Sequence, residues 1–293
     1  MARPTETTSA ARPPRPRPRK RFGQHFLEAA WVAKLIDTTT CIGCKACEVA
    51  CQEWNDLQTE QTHQFGTYQT LPDLTPNFWN LIRFNEYDGE GEGQFAWLMR
   101  KDQCMHCEDP GCLKACPSPG AIVQYNNGIV DFNQANCIGC GYCISGCPFD
   151  VPRLSAKSNK VYKCTMCSDR VSVGLEPACI KACPTSALQF GTKQNLLDIA
   201  EKRVDQLKAQ GFKAAALYDP PGVGGTNVIT VLAYGDKPEL YGLPKDPKIP
   251  AYVGLMKSVL KPIGNFLMLI GVVGAFGHFM RYGKHEDPSE ARE

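Results

Sequence analysis

Sixteen cysteines stand in four short groups in this 293-residue chain, and none is left over. The groups are Cys41, Cys44, Cys47 and Cys51; Cys104, Cys107, Cys112 and Cys116; Cys137, Cys140, Cys143 and Cys147; and Cys164, Cys167, Cys179 and Cys183. The third reads Cys137-Ile-Gly-Cys140-Gly-Tyr-Cys143-Ile-Ser-Gly-Cys147-Pro148. A C-x2-C-x2-C-x3-C-P run holds [4Fe–4S] clusters, and its fourth cysteine serves a different cluster from the first three. The x2 spacing wraps the backbone round one cubane and turns its N–H groups toward the sulfurs, while the x3 cysteine faces away. Structural zinc also uses C-x2-C, but it needs neither a third cysteine at that spacing nor the proline. A disulfide scaffold would scatter its cysteines through loops. Sixteen thiolates match four cubanes.

The other groups depart from that run in spacing but not in ligand number. The second opens to x4 between Cys107 and Cys112, and the fourth opens further between Cys167 and Cys179. The first has Gln52 where proline is usual. Every group keeps four thiols, so four [4Fe–4S] clusters are expected and no [3Fe–4S] centre. His106 is expected to hydrogen-bond at a cluster edge, not to ligate. Lys45, Lys101, Lys114, Lys163 and Lys181 adjoin the loops, and a cation there favours the more negative, reduced cluster. The spacing leaves two ways to pair the groups: neighbours (first with second, third with fourth) or nested (first with fourth, second with third).

The elements that must present these loops are short. Ala33–Asp37 reads as a strand into the first group, Phe95–Arg100 delivers the second, Gly128–Asp131 separates the second and third, and Lys160–Lys163 precedes the fourth. Strand, cysteine loop and helix recur, as in bacterial-type ferredoxins, so an α+β fold of two pseudo-repeated ferredoxin-like modules is expected over 33–190. Residues 52–103 form a polar, aromatic-rich insertion with turn signals at Leu71–Pro76 and Asp88–Gly93. A helix/strand extension over 191–250 follows. In it Leu196, Leu197, Ile199, Ala200, Val204 and Leu207 fall at helical spacing. Pro220–Thr226 lacks the Lys-Ser/Thr of a phosphate loop and reads as a glycine turn before a strand over Asn227–Tyr234. Pro262–Met280 carries no formal charge, and its length suits one transmembrane helix over 262–280. Gly264, Gly271, Ala275 and His278 share one helical face, which lets a partner's helix approach closely. A polar tail, 281–293, closes the chain.

Net charge is +2 and by itself excludes no partner class. Its distribution is uneven. Arg3, Arg12, Arg15, Arg17, Arg19, Lys20 and Arg21 face only Glu6 within residues 1–22, among five prolines. Residues 1–32 are therefore expected to be a disordered Arg/Pro-rich arm that docks on a partner subunit; no nucleic-acid contact is expected. Phe22–Ala33 has no continuous apolar run, so no export signal is expected there.

The order of the four groups resembles the iron–sulfur subunits of membrane-bound molybdopterin oxidoreductases. Within them the chain resembles the family of respiratory formate dehydrogenase beta subunits, in AKLIDTTTCIGCKACEVACQEWND, RKDQCMHCEDPGCLKACP, GVGGT and Glu239–Ile249. The likeness runs from about Ala33 to the C-terminal helix and leaves out the arm. It implies nested pairing, with Cys41, Cys44, Cys47 and Cys183 on one cluster and Cys51, Cys164, Cys167 and Cys179 on a second. Cys104, Cys107, Cys112 and Cys147 would hold a third, and Cys116, Cys137, Cys140 and Cys143 a fourth. It also implies a non-catalytic electron relay from a molybdenum- or tungsten-pterin subunit that oxidises formate to a membrane cytochrome b and quinone. His278 would then lie near a haem or the quinone pocket. The chain would cross the bacterial inner membrane once, in contact with lipid, with its cluster domain on the periplasmic side. The alternative is an equivalent relay for a membrane-bound hydrogenase or another molybdopterin oxidoreductase.

Overall fold

The computed structural model describes residues 31–88, 95–255 and 260–283. The expected arm, apart from Trp31 and Val32, lies outside them, as do Gly89–Gly93 of the second turn signal and the tail beyond Gly283.

Strand β1, Val32–Asp37, leads into the first cysteine group, and α1, Ala46–Asn55, carries Cys47 and Cys51. The insertion then folds back as a long antiparallel hairpin, β2 Asn80–Asp88 and β3 Phe95–Gln103, whose last residue precedes Cys104. Helix α2, Gly111–Ala115, carries Cys112. A short hairpin of β4 Ile122–Gln124 and β5 Val130–Phe132 follows, then α3 Tyr142–Ser145 with Cys143. A second short hairpin, β6 Arg153–Ser155 and β7 Lys160–Tyr162, delivers the fourth group. That group spans α4 Ser168–Val171 and α5 Ala178–Lys181. The chain continues through β8 Leu188–Thr192, α6 Lys193–Ala209, β9 Ala216–Tyr218 and β10 Val228–Leu232. A short helix α7, Ala251–Leu255, precedes the apolar helix α8, Lys261–Tyr282.

One four-stranded sheet, in the order β8-β1-β10-β9, is the largest framework. β1 runs antiparallel to β8 and parallel to β10, so strands far apart in sequence flank it on both sides. Its two faces do different work. Ala33 and Leu35 pack with Ile229 and Val231 against Leu196, Ala200, Val204 and Leu207 of α6. The helix buries the apolar stripe that its periodicity announces. Ile36, on the opposite face, joins Cys47, Cys179, Ile82 and Met166 in the core that surrounds the cysteine loops.

Among the described residues nothing covers α8, and every residue from Lys261 to Tyr282 is exposed. Its length and composition suit a membrane crossing. α7 is seated on α2, and its Tyr252 donates its hydroxyl hydrogen to the Ser145 carbonyl of the neighbouring α3 at 2.6 Å.

Candidate metal centres

The four C-x2-C loops share one backbone device. The residue just before the second cysteine is left-handed in all four, with φ of 64° at Gly43, 46° at His106, 73° at Gly139 and 55° at Met166. That turn points the amide back at the first thiol. His106 N–H reaches Cys104 Sγ and Met166 N–H reaches Cys164 Sγ, both at 3.4 Å, and the Gly43 amide does the same for Cys41. Glycine fits without strain; histidine and methionine sit in a region that L-residues disfavour.

α1 packs on α5 and α2 packs on α3, so the first group meets the fourth and the second meets the third. One space is lined by Cys41, Cys44, Cys47 and Cys183 with Ile36, Ile82 and Lys101. Another is lined by Cys104, Cys107, Cys112 and Cys147 with His106, Val130 and Lys163. The remaining eight thiols gather in two further sets. Burial pushes the Cys51 thiol above its usual range, and Cys164, Cys167 and Cys179 raise it further. Burial, then Cys116, Cys137 and Cys140, push Cys143 up to about 12.

These shifts carry a chemical message. Cys47 and Cys167 are also pushed up to about 12, chiefly by burial, so their free thiols hold protons at neutral pH. They become thiolates only when a cation enters and displaces the proton. None of the sixteen is in a disulfide. Among the described residues no three His, Cys, Asp or Glu side chains converge on a point that would hold a single ion. Four sulfurs lining one space, with amides aimed at them, fit a multi-atom iron–sulfur cube.

Buried cations stand against these sets. Lys163 donates to the Val130 and Cys164 carbonyls at 2.6 and 2.9 Å; burial pushes the Cys104 and Cys112 thiols above their usual range, and the Lys163 charge offsets part of that rise. Lys34 reaches Cys179 Sγ at 3.4 Å. Burial would raise the Cys179 pKa, but Lys34 and Lys101 reverse the sign and hold it below its usual value. Of the lysines singled out by adjacency, Lys101 and Lys163 are buried, whereas Lys181 is exposed and Lys114 pairs with Asp109 at the surface. Lys34 escaped that reading because it lies inside a strand, remote in sequence from the loop it serves. The signal was a lysine among apolar residues in AKLID.

His106 lines the second space without being needed as a ligand. Its Nδ1 accepts from the Val130 amide at 3.1 Å, so Nε2 carries the hydrogen, and that atom is buried without a partner. Burial, then the charges of Lys163 and Lys34, hold its pKa well below the usual value. The ring is therefore a neutral donor. Its carbonyl accepts from Asn227 Nδ2 at 3.0 Å, and the glycine turn Pro221–Gly225 closes over Glu108 and Asp109 beside it. His278 lies far along the chain on exposed α8, with its ring 5.0 Å from that of Tyr282.

Comparison with known proteins agrees with this chemistry. Two family models, each of a 4Fe-4S dicluster domain, match residues 40–120 and 95–193. The chain is 57% identical over 265 residues to the nitrate-inducible formate dehydrogenase iron-sulfur subunit of Escherichia coli, covering 90% of each. It is 56% identical over 254 residues to the formate dehydrogenase iron-sulfur subunit of Haemophilus influenzae, covering 86% of this chain and 81% of the other. Formate dehydrogenase 2 subunit beta (cytochrome c-553) of Nitratidesulfovibrio vulgaris is 38% identical over 208 residues, covering 69% and 93%.

Proposed function

Because the chain belongs to the iron–sulfur (beta) subunits of formate dehydrogenases, we propose that it relays electrons through four [4Fe–4S] clusters. They pass from a molybdenum- or tungsten-pterin catalytic subunit to a membrane cytochrome b and quinone. The ligand sets are Cys41, Cys44, Cys47 and Cys183; Cys51, Cys164, Cys167 and Cys179; Cys104, Cys107, Cys112 and Cys147; and Cys116, Cys137, Cys140 and Cys143. The observation that carries this reading is the meeting of the first group with the fourth and the second with the third around sulfur-lined spaces.

A bound cube supplies one-electron chemistry, and the protein supplies position and charge. The left-handed loop residues aim amides at the thiols. The buried lysines offset the negative charge of the thiolates, and the apolar lining keeps water away. No side chain here is assigned a catalytic role. The recurring left-handed position supports two pseudo-repeated ferredoxin-like modules within 33–190, with 52–103 as an insertion and 191–250 as an extension that supplies β9 and β10.

In the same reading α8 crosses the bacterial inner membrane once, in contact with lipid. Its face of Gly264, Gly271, Ala275 and His278 packs on a helix of the cytochrome b, with the cluster domain on the periplasmic side. His278 lies beside the haem or quinone pocket. Native complex prepared anaerobically is expected to hold about 16 Fe per chain. It is also expected to be bleached by formate and to co-purify with a pterin-containing large subunit. Far fewer iron atoms would end the proposal. The role of His278 fails if His278→Ala leaves quinone reduction unchanged.

A further inference from the structure

Lys34 is an odd residue for its place. It occupies the middle of central strand β1, with Phe190 and Val228 as its cross-strand partners, and it is completely buried. An ammonium withdrawn from water needs a compensating negative charge. Among the described residues no carboxylate pairs with it. Its contacts are Cys179 Sγ and Gln103 Oε1, both at 3.4 Å. The same Gln103 oxygen accepts from a second buried ammonium, Lys101, at 2.7 Å, while Gln103 Nε2 has no partner. Two like charges therefore converge on one amide oxygen, with the Cys179 sulfur beside one of them.

The two lysines address different thiols. Lys34 Nζ lies against the sulfur of Cys179, within the set of Cys51, Cys164, Cys167 and Cys179. Lys101 lines the space ringed by Cys41, Cys44, Cys47 and Cys183, and the shared Gln103 oxygen ties it to Lys34 beside the other set. Lys101 thus stands between two ligand sets, and Lys34 belongs to one of them.

We infer that the Lys34–Gln103–Lys101 bridge is a potential-setting device. Lys34 raises the potential of the cluster on Cys51, Cys164, Cys167 and Cys179, and Lys101 raises both that one and the cluster on Cys41, Cys44, Cys47 and Cys183. Gln103 holds the ammonium groups at their stations. The inference rests on the ligand sets proposed above and deepens them, since it assigns positioning residues that touch the sulfur environment and not the formate chemistry.

The test is a potentiometric titration of the purified complex followed by electron paramagnetic resonance, with iron counted in each sample. Lys34→Met is expected to shift one couple negative by at least a tenfold change in its reduced-to-oxidised ratio, 59 mV for one electron. Lys101→Met shifts two couples, Lys34→Arg restores the wild-type value, and surface Lys114→Met shifts none. Intact clusters with unmoved potentials in Lys34→Met would overturn the inference. So would loss of the same cluster in both Lys34→Met and Lys34→Gln, since that makes Lys34 a folding residue. Failure of the relay reading looks different: wild type itself then lacks the four couples.

Discussion

The half of the molecule built from the first and fourth cysteine groups and the half built from the second and third use the same loop but frame it differently. The first half rests on the four-stranded sheet and α6, and its inner set, Cys51, Cys164, Cys167 and Cys179, is wholly buried beside Lys34. The second half rests on two hairpins of three-residue strands, and its outer set includes the exposed Cys140 between Gly139 and Gly141. Ligand type is identical throughout, so what differs is burial and fixed charge. Those are the levers by which a protein separates the potentials of chemically identical clusters.

Removing one thiol from each half sharpens the contrast most. Cys179→Ala leaves Lys34 buried without its nearest negative partner, and breaking a buried pair costs about 3–5 kcal/mol. This variant is expected to lose about four of ~16 Fe and to accumulate poorly. Cys140→Ala sits at the surface and is expected to lose its own four iron atoms with normal yield. Equal yields would show that the two halves bear charge alike. In the frame itself, Leu207 of α6 is 1% exposed against the sheet, and Leu207→Ala should cost about 2–5 kcal/mol in anaerobic denaturant unfolding. A value below that range would mean that the clusters, not the sheet, hold the first half together.

The loops give a smaller effect. Gly139 has φ 73°, and a Cβ there would strike the Asn159 carbonyl. Gly139→Ala is expected to destabilise its loop by about 1–2 kcal/mol from handedness alone, read as faster loss of one cluster in air. Met166→Gly at the equivalent position of the first half relieves that strain but empties a fully buried side chain, at a cost of about 2–5 kcal/mol, and should also speed the loss. If both substitutions leave cluster lifetime unchanged, the shared left-handed turn contributes nothing to cluster retention.

Much of this could be read from residue order, because cluster ligation is local. The C-x2-C spacing, the strand before each group, the stripe Leu196–Leu207 and the uncharged run before Arg281 each declare an element within a few residues of themselves. Non-local placement was not readable in that way. β10 slides in beside β1 from almost the full length of the domain away, and only then does the role of Lys34 appear. Nor does spacing choose between neighbour and nested pairing. The packing of α1 on α5 brings the first group to the fourth, and nothing in either segment encodes the other. His106 and Met166 occupy the left-handed station that glycine holds at Gly43 and Gly139, so a glycine search finds half of the device.

The smallest expected effect concerns the seam between the insertion and the second half. Asp73 accepts from Arg83 of β2 at 2.6 Å and from Arg153 of β6 at 2.5 Å, and Arg83 also reaches Asp102 at 2.8 Å. Partial burial alone would raise the Asp73 pKa, but the Leu74 amide and the two guanidinium groups outweigh it and hold the carboxyl below its usual range. A depressed folded-state pKa means that the unfolded chain takes up the proton first as pH falls, so the stabilisation exists at neutral pH and disappears in acid. Asp73 is about half exposed, so the pair contributes about 1 kcal/mol or less. Asp73→Asn should therefore lower the unfolding midpoint slightly at pH 7, and the gap between variant and wild type should close as the pH falls through the carboxylate range. A gap that persists in acid would mean that Asp73 joins the halves by shape and hydrogen bonding instead of by charge.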